Sequence, residues 1–194
     1  MLLLGALLAA LPVVLSYPSA YNSINCIGDK ILPTPTYGLS GANFSVCATI
    51  NIKAPITVVS NAILDVNNYK NWNTFVYNAT PPADVKTAAD IKVGQSIVFN
   101  SRGIPAGATS VGTDIVTFVQ RPYFAAWKNI ENEAFIGHSE HCFLFAACAD
   151  GSTQFTHWQT QYGLNAGVIY GLKPDFQRAY EVEANDLKKY AEKK

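Results

Sequence analysis

Charge is scarce in this chain. Only 14% of its 194 residues are Asp, Glu, Lys or Arg, against about 25% in an average soluble domain. Basic and acidic residues balance at 14 each, so there is no basic footprint for nucleic acid or for an anionic lipid surface. The polar surface must be carried by Asn, Thr, Ser and Gln. None of the four cysteines forms a C-x-x-C pair, which argues against a zinc site. No G-x-S-x-G is present, so the nucleophile elbow of a serine hydrolase is missing. Internal repeats and low-complexity segments are absent. Beyond the first fifteen residues no stretch is apolar for long enough to span a bilayer, which takes roughly 20 residues.

Leu2 to Leu15 is an apolar run broken only by Gly5 and Pro12. It is too short for a membrane span and fits the apolar region of a secretory signal peptide. Only the free amino terminus supplies positive charge ahead of it. Val14 and Ser16 give a small-x-small site with cleavage after Ser16, and cleavage after Ala20 is the alternative. The expectation is therefore a secreted, extracellular protein with a leader over residues 1–16 and no stable membrane insertion. In such a chain the sequons at Asn43 and Asn78 are candidate glycosylation sites.

Export also makes disulfides the default for Cys26, Cys47, Cys142 and Cys148. Cys142 and Cys148 read as lying on one strand, roughly 20 Å apart if it stays extended, whereas a disulfide needs Cα atoms within about 7 Å. Two patterns remain open. Either Cys26 and Cys47 each bond to one of the other two, or Cys26 bonds Cys47 and leaves the others free. The second is preferred, because it would tie down an arm over residues 17–44 that is rich in Pro, Tyr, Thr and Gly and has no period.

Regular structure is expected from Ser45 on, forming one domain over residues 45–194. Ser45 to Lys53 alternates as a strand does. A helix follows from Ala54-Pro55, with apolar positions Val58, Val59, Ala62, Ile63 and Val66. Six strands are predicted next: 74–79, 96–101, 113–120, 124–129, 139–148 and 153–162. Turn signals such as Pro81-Pro82, Arg121-Pro122 and Asp150-Gly151 separate them. A glycine-containing loop, Gly163 to Gly171, reads as a flexible lid. Lys173 to Glu192 is a helix with the stripe Phe176, Tyr180, Ala184, Leu187 and Ala191. This order predicts an α+β fold, a curved antiparallel sheet of about seven strands wrapped on a long C-terminal helix. Its concave side would leave a cavity for a small apolar ligand.

Four segments carry a resemblance. Ala62 to Asn73, containing Asp65, Tyr69 and Trp72, is similar to L-x-D-x-x-Y-x-x-W-N. Gly137-His138-Ser139-Glu140-His141-Cys142-Phe143 is similar to G-x-H-x-F. Gly151 to Leu164 is similar to G-G-T-x-F-T-H-x-E-x-F-S-G-L. Ala184 to Glu192 is similar to M-N-x-x-L-K-x-x-A-E. In this order they resemble the SRPBCC (START-like, polyketide cyclase/dehydrase) superfamily, the helix-grip fold, over Ser45 to Glu192. Gln159 stands where that family often has an acid, and Ala184 where it has Met. The leader and the cysteine-bearing arm lie outside the pattern. The resemblance implies a helix-grip domain; the superfamily contains lipid carriers, hormone receptors and cyclases.

The candidate site follows from strand phase. His138 and His141 fall on opposite faces of one strand. A two-residue Asp150-Gly151 loop would pair His157 with Leu144 and separate it from His141. A three-residue Asp150-Gly151-Ser152 loop would pair it with Phe145, on the face of His141 and Phe143, and the resemblance favours this register. Trp127, His141, Phe143, Phe145, Phe155, His157, Gln159 and Gln161 would then line the cavity, an aromatic wall with polar anchors. His141 and His157 are the candidates for acid/base chemistry. No carboxylate visibly joins them, so no metal and no cofactor is expected. Trp72 reads as a core plug. The functional expectation is a monomeric binder of a hydrophobic or aromatic small molecule of lipid, sterol, polyketide or quinone type. Its alternatives are a cyclase or dehydratase using a cavity histidine, and an interaction protein whose cavity has no function.

Overall fold

The computed structural model describes Tyr21 and residues 23–131 and 133–194. The expected leader and its cleavage site lie outside the described residues. Strand β1 covers Ala42–Ile52 and helix α1 covers Ile56–Leu64, followed by a 3-10 helix at Val66–Asn71. Strands β2 (Val76–Thr80), β3 (Ser96–Arg102), β4 (Thr109–Gln120) and β5 (Phe124–Asn129) come next. Helix α2 (Glu133–Ile136) precedes β6 (His138–Ala147) and β7 (Thr153–Tyr162). Gly163–Gly171, expected as a loop, is largely 3-10 helix at Leu164–Leu172, and it runs directly into α3, Lys173–Ala191. Pro55 sits immediately before α1 and Pro174 in the first turn of α3, where a missing N–H costs nothing.

All seven strands form one antiparallel sheet in the order β1-β7-β6-β5-β4-β3-β2. The meander β2 to β7 is sequential, and α1 with the 3-10 helix carries the chain from one sheet edge to the other. Helix α3 packs on the concave face against β1, β7 and α1. Its stripe Tyr180, Ala184, Leu187 and Ala191 is buried, each large side chain contributing about 1.5–3 kcal/mol.

The convex face is covered as well. The arm lies across it and builds a second core from Tyr21, Leu32, Phe124, Ala126, Cys142 and Trp158. Strand β7 is therefore buried along nearly its whole length, as strands covered on both faces are. Its outward residues anchor the arm in turn. Trp158 Nε1 donates to the Pro33 carbonyl at 3.0 Å, Thr160 Oγ1 to the Leu32 carbonyl at 2.6 Å, and Tyr162 Oη to the Gly38 carbonyl at 2.9 Å. On β6, buried Glu140 accepts from the backbone N–H and the hydroxyl of Thr36 at 2.9 and 2.8 Å. A Cys26–Cys47 disulfide staples the arm to β1, and Cys142 and Cys148 are free thiols. No helix among the described residues is long and apolar enough to cross a membrane.

Candidate ligand cavity and its buried polar chains

Between the concave sheet and the N-terminal half of α3 lies a cavity of about 320 Å³. This is near the lower end of the ~300–1,000 Å³ usual for small-molecule sites. One wall is a run of rings. Phe99 and Trp127 have centroids 6.2 Å apart, Trp127 and Phe143 4.4 Å, and Phe143 and His157 4.2 Å; fully buried Tyr180, outside the lining, stacks on His157 at 3.9 Å. Opposite stand Ile136 of α2, Ile169 and Leu172 of the 3-10 segment, and Phe176 of α3. Exposed Ser110, Val111 and Glu131 mark the mouth.

Six of the eight expected lining residues reach this space: Trp127, His141, Phe143, His157, Gln159 and Gln161. Phe145 and Phe155 do not. They share the inward face but sit nearer the β6–β7 turn, packed on each other at 5.5 Å in the main core. The register also differs from both expected alternatives. His157 pairs with Phe143, not with Leu144 or Phe145. The turn is Ala149-Asp150-Gly151, closed by the Gly151 N–H to the Cys148 carbonyl and the Cys148 N–H to the Ser152 carbonyl. Gly151 has φ +81°, the left-handed conformation required at the third position of such a three-residue loop. Moving a three-residue loop by one position shifts the pairing by two, and this keeps His157 on the face of His141.

Carboxyl groups join both cavity histidines, contrary to the sequence expectation. His157 Nδ1 lies 2.7 Å from Glu183 Oε2, off the line of an ideal hydrogen bond, with both side chains 2% exposed. Asn73 Nδ2 donates to Glu183 Oε1 at 2.6 Å, while Asn73 Oδ1 accepts the backbone N–H groups of Phe75 and Val76. His141 Nε2 stands 3.6 Å from Asp114 Oδ2, and Asn129 Nδ2 donates to Asp114 Oδ1 at 2.9 Å. A second chain starts at His141 Nδ1, 2.5 Å from Tyr180 Oη. Tyr180 donates to Gln159 Oε1 at 2.7 Å, Gln159 to Gln161 Oε1 at 2.9 Å, and Gln161 to the Ile136 carbonyl at 3.0 Å.

Burial sets the protonation tendencies. It holds the His157 imidazole below the usual histidine range, although Glu183 pulls the other way. It raises Asp114 above the usual carboxylate range, against His141 and Asn129, which stabilise its charged form. The Tyr180 phenol is pushed well above its ordinary value.

Asn73, Asp114, Asn129, Tyr180 and Glu183 were therefore missed as site residues. Glu183 lies three residues after Tyr180 and four before Leu187, on the apolar stripe, where a carboxyl is out of place. Asp114 is in inward phase with Val116. Both were visible as polar breaks in apolar patterns. Among the described residues no group of three or more His, Cys, Asp or Glu is placed to hold a metal ion.

The remaining candidates lie elsewhere. His138 is on the convex face, 2.9 Å from Glu133 and between the rings of Tyr37 and Tyr162. Asn43 is exposed on β1 and Asn78 half-buried on β2, the two edge strands. Trp72 is buried against Tyr69 and Tyr190.

No family model and no curated protein sequence matches the chain. Solved structures do. A hypothetical protein of Helicobacter pylori aligns with TM-score 0.65 at 12% identity, over 84% of this chain and 96% of its own. An aromatase/cyclase from Streptomyces sp. R1128 aligns with TM-score 0.62 at 15% identity, over 77% and 93%. A START superfamily protein from Mycobacterium smegmatis aligns with TM-score 0.59 at 14% identity, over 77% and 97%. The architecture is the START-like helix-grip fold.

Proposed function

We propose that this chain is an exported binding protein that encloses a small, largely apolar or aromatic molecule between its sheet and α3. One observation carries the reading: a cavity of about 320 Å³ has a wall of rings and a few buried polar groups that converge on it. Apolar contact supplies affinity at about 25 cal/mol per Å² buried, and the polar groups orient the ligand. The apolar leader supports export, and the Cys26–Cys47 disulfide suits an oxidising compartment. A monomer, glycosylated at Asn43 and Asn78, completes the proposal. Native mass spectrometry of the secreted protein tests it. A small hydrophobic passenger that leaves on denaturation supports binding, and a protein that stays empty through a screen of apolar compounds favours an interaction protein with a non-functional cavity.

A second reading has its own support. Each cavity histidine stands beside a buried carboxyl group, an arrangement suited to moving protons, and one similar fold is an aromatase/cyclase. Turnover of a polyketide-like substrate that is lost in His157→Ala or His141→Ala, with ligand affinity retained, would establish the enzyme.

A further inference from the structure

The cavity is rich in acceptors and poor in donors. Asp114, Glu131 and Glu183 line it beside two histidines, and no Lys or Arg does. Its amide groups are already engaged. Asn129 Nδ2 donates to the Thr113 carbonyl and to Asp114 Oδ1. Gln159 Nε2 donates to Gln161 Oε1, and Gln161 Nε2 to the Ile136 carbonyl. That carbonyl can only accept, so it sets the direction of the whole chain. Tyr180 gives its proton to Gln159 Oε1, and its oxygen takes the hydrogen on His141 Nδ1. The neutral imidazole then has its lone pair on Nε2. This atom stands 3.6 Å from Asp114 Oδ2, beyond hydrogen-bond distance. The side chains of His141 and Asp114 keep 20% and 9% of their surface open, and both line the cavity, so a ligand can reach them. The ring wall adjoins the pair. Trp127 is the cross-strand partner of His141 on one side and of Val116, two residues from Asp114, on the other. Burial disfavours the Asp114 charge, and a cation beside Oδ2 offsets that cost.

We propose that the cavity selects organic amines with an aromatic body, the ammonium group lying between Asp114 Oδ2 and His141 Nε2. The inference rests on the binding reading and adds a charge to it. An ammonium has donors and no acceptor, so it can serve both atoms at once. The Trp127 ring beside them favours a cation on its face. The rings of Phe99, Trp127 and Phe143, successive members of the wall, supply a flat surface for the ligand body. Exposed Glu131 at the mouth attracts the same sign of charge. A ligand carboxylate would meet only acceptors here, with no Lys or Arg to pair it.

The test uses the full-length secreted protein at pH 8 with three matched probes, 2-(2-naphthyl)ethylamine, 2-(2-naphthyl)ethanol and 2-naphthylacetate. Titration calorimetry is expected to show the amine binding about ten-fold or more tightly than the alcohol, and the carboxylate binding most weakly. Asp114→Asn removes the charge at constant size and is expected to bring the ratio of amine to alcohol affinity close to one. Equal affinities of amine and alcohol in the wild type, or a preference for the carboxylate, overturn the inference and leave the binding reading in place. An amine preference that survives Asp114→Asn does the same. Failure of all three probes to bind overturns both. If the variant does not fold, the wild-type probe comparison still decides.

Discussion

Removal of Glu183 is the perturbation that tests the buried chain most directly. In Glu183→Leu the Asn73 Nδ2 donor loses its acceptor and His157 Nδ1 loses the carboxyl group 2.7 Å away, and both residues are at most 3% exposed. At about 1–3 kcal/mol for each orphaned group, the expected loss is about 4 kcal/mol. His157→Phe orphans only one oxygen of Glu183, and about 2 kcal/mol is expected. In the double variant Asn73 alone is left unpaired, so the loss returns to about 2 kcal/mol. The two changes together should thus cost well under the sum of the singles, with a coupling of at least about 2 kcal/mol. Urea denaturation at pH 8 measures this through shifted midpoints at unchanged slope. A domain with about 5–15 kcal/mol of stability remains folded enough to measure. Additive costs, within about 0.5 kcal/mol, would refute the argument, since the two side chains would then not share the contact that the structure places at 2.7 Å.

Three further outcomes are expected. Replacing both Cys26 and Cys47 by Ser opens a link between residues 21 apart, worth about 3 kcal/mol by loop-closure entropy; denaturation under matched conditions measures it, and an unchanged midpoint contradicts the staple. Gly137→Ala places a Cβ 2.0 Å from the Tyr162 carbonyl oxygen at a φ of +75°, so stability should drop by about 2 kcal/mol or more, and ligand binding in the cavity that Gly137 lines should weaken. The third outcome concerns acid. The folded-state pKa of His157 is depressed, so the stability tied to it is complete above about 6.5 and is lost as pH falls through the folded-state value. Asp114, with a raised pKa, acts in the opposite sense, losing stability as pH rises from the ordinary carboxylate value. Subtracting the His157→Phe curve from wild type between pH 7.5 and 5 isolates the His157 slope, and a flat difference would contradict a buried neutral imidazole.

Strand and helix positions were legible because turn residues punctuate the chain and apolar periods are clean. Phe124–Asn129 and Thr153–Tyr162 fall where alternation and flanking turns put them. The β6–β7 register slipped by a single feature. Gly151 is needed in third place of the loop, as its positive φ requires, whereas the sequence expectation had it second; the loop moved by one residue while the face of His157 stayed the same. The arm has no period, so its path could not be read. Its existence as a cover could have been, because β7 carries Phe155 and His157 on one face and Trp158 and Tyr162 on the other. Large rings on both faces of a strand demand burial on both.

The site residues missed on α3 and β4 have a common physical origin. Position Glu183 breaks an apolar stripe, and position Asp114 breaks an inward strand face. Alone, a buried carboxyl group costs several kcal/mol, and folding cannot tolerate many such groups. A buried imidazole or amide with an open hydrogen-bonding atom carries a similar burden. Those costs largely cancel when the fold sets each carboxyl group against such a partner, as it does for Glu183 with His157 and Asn73 and for Asp114 with His141 and Asn129. One polar break in an apolar pattern is therefore evidence for a second, on another element, that meets it. His157 and His141 were recognised on β7 and β6, and each implied a partner on whatever packs against the concave face. Glu183, a polar position on the inward face of α3, meets His157, and Asp114, one on the inward face of β4, meets His141.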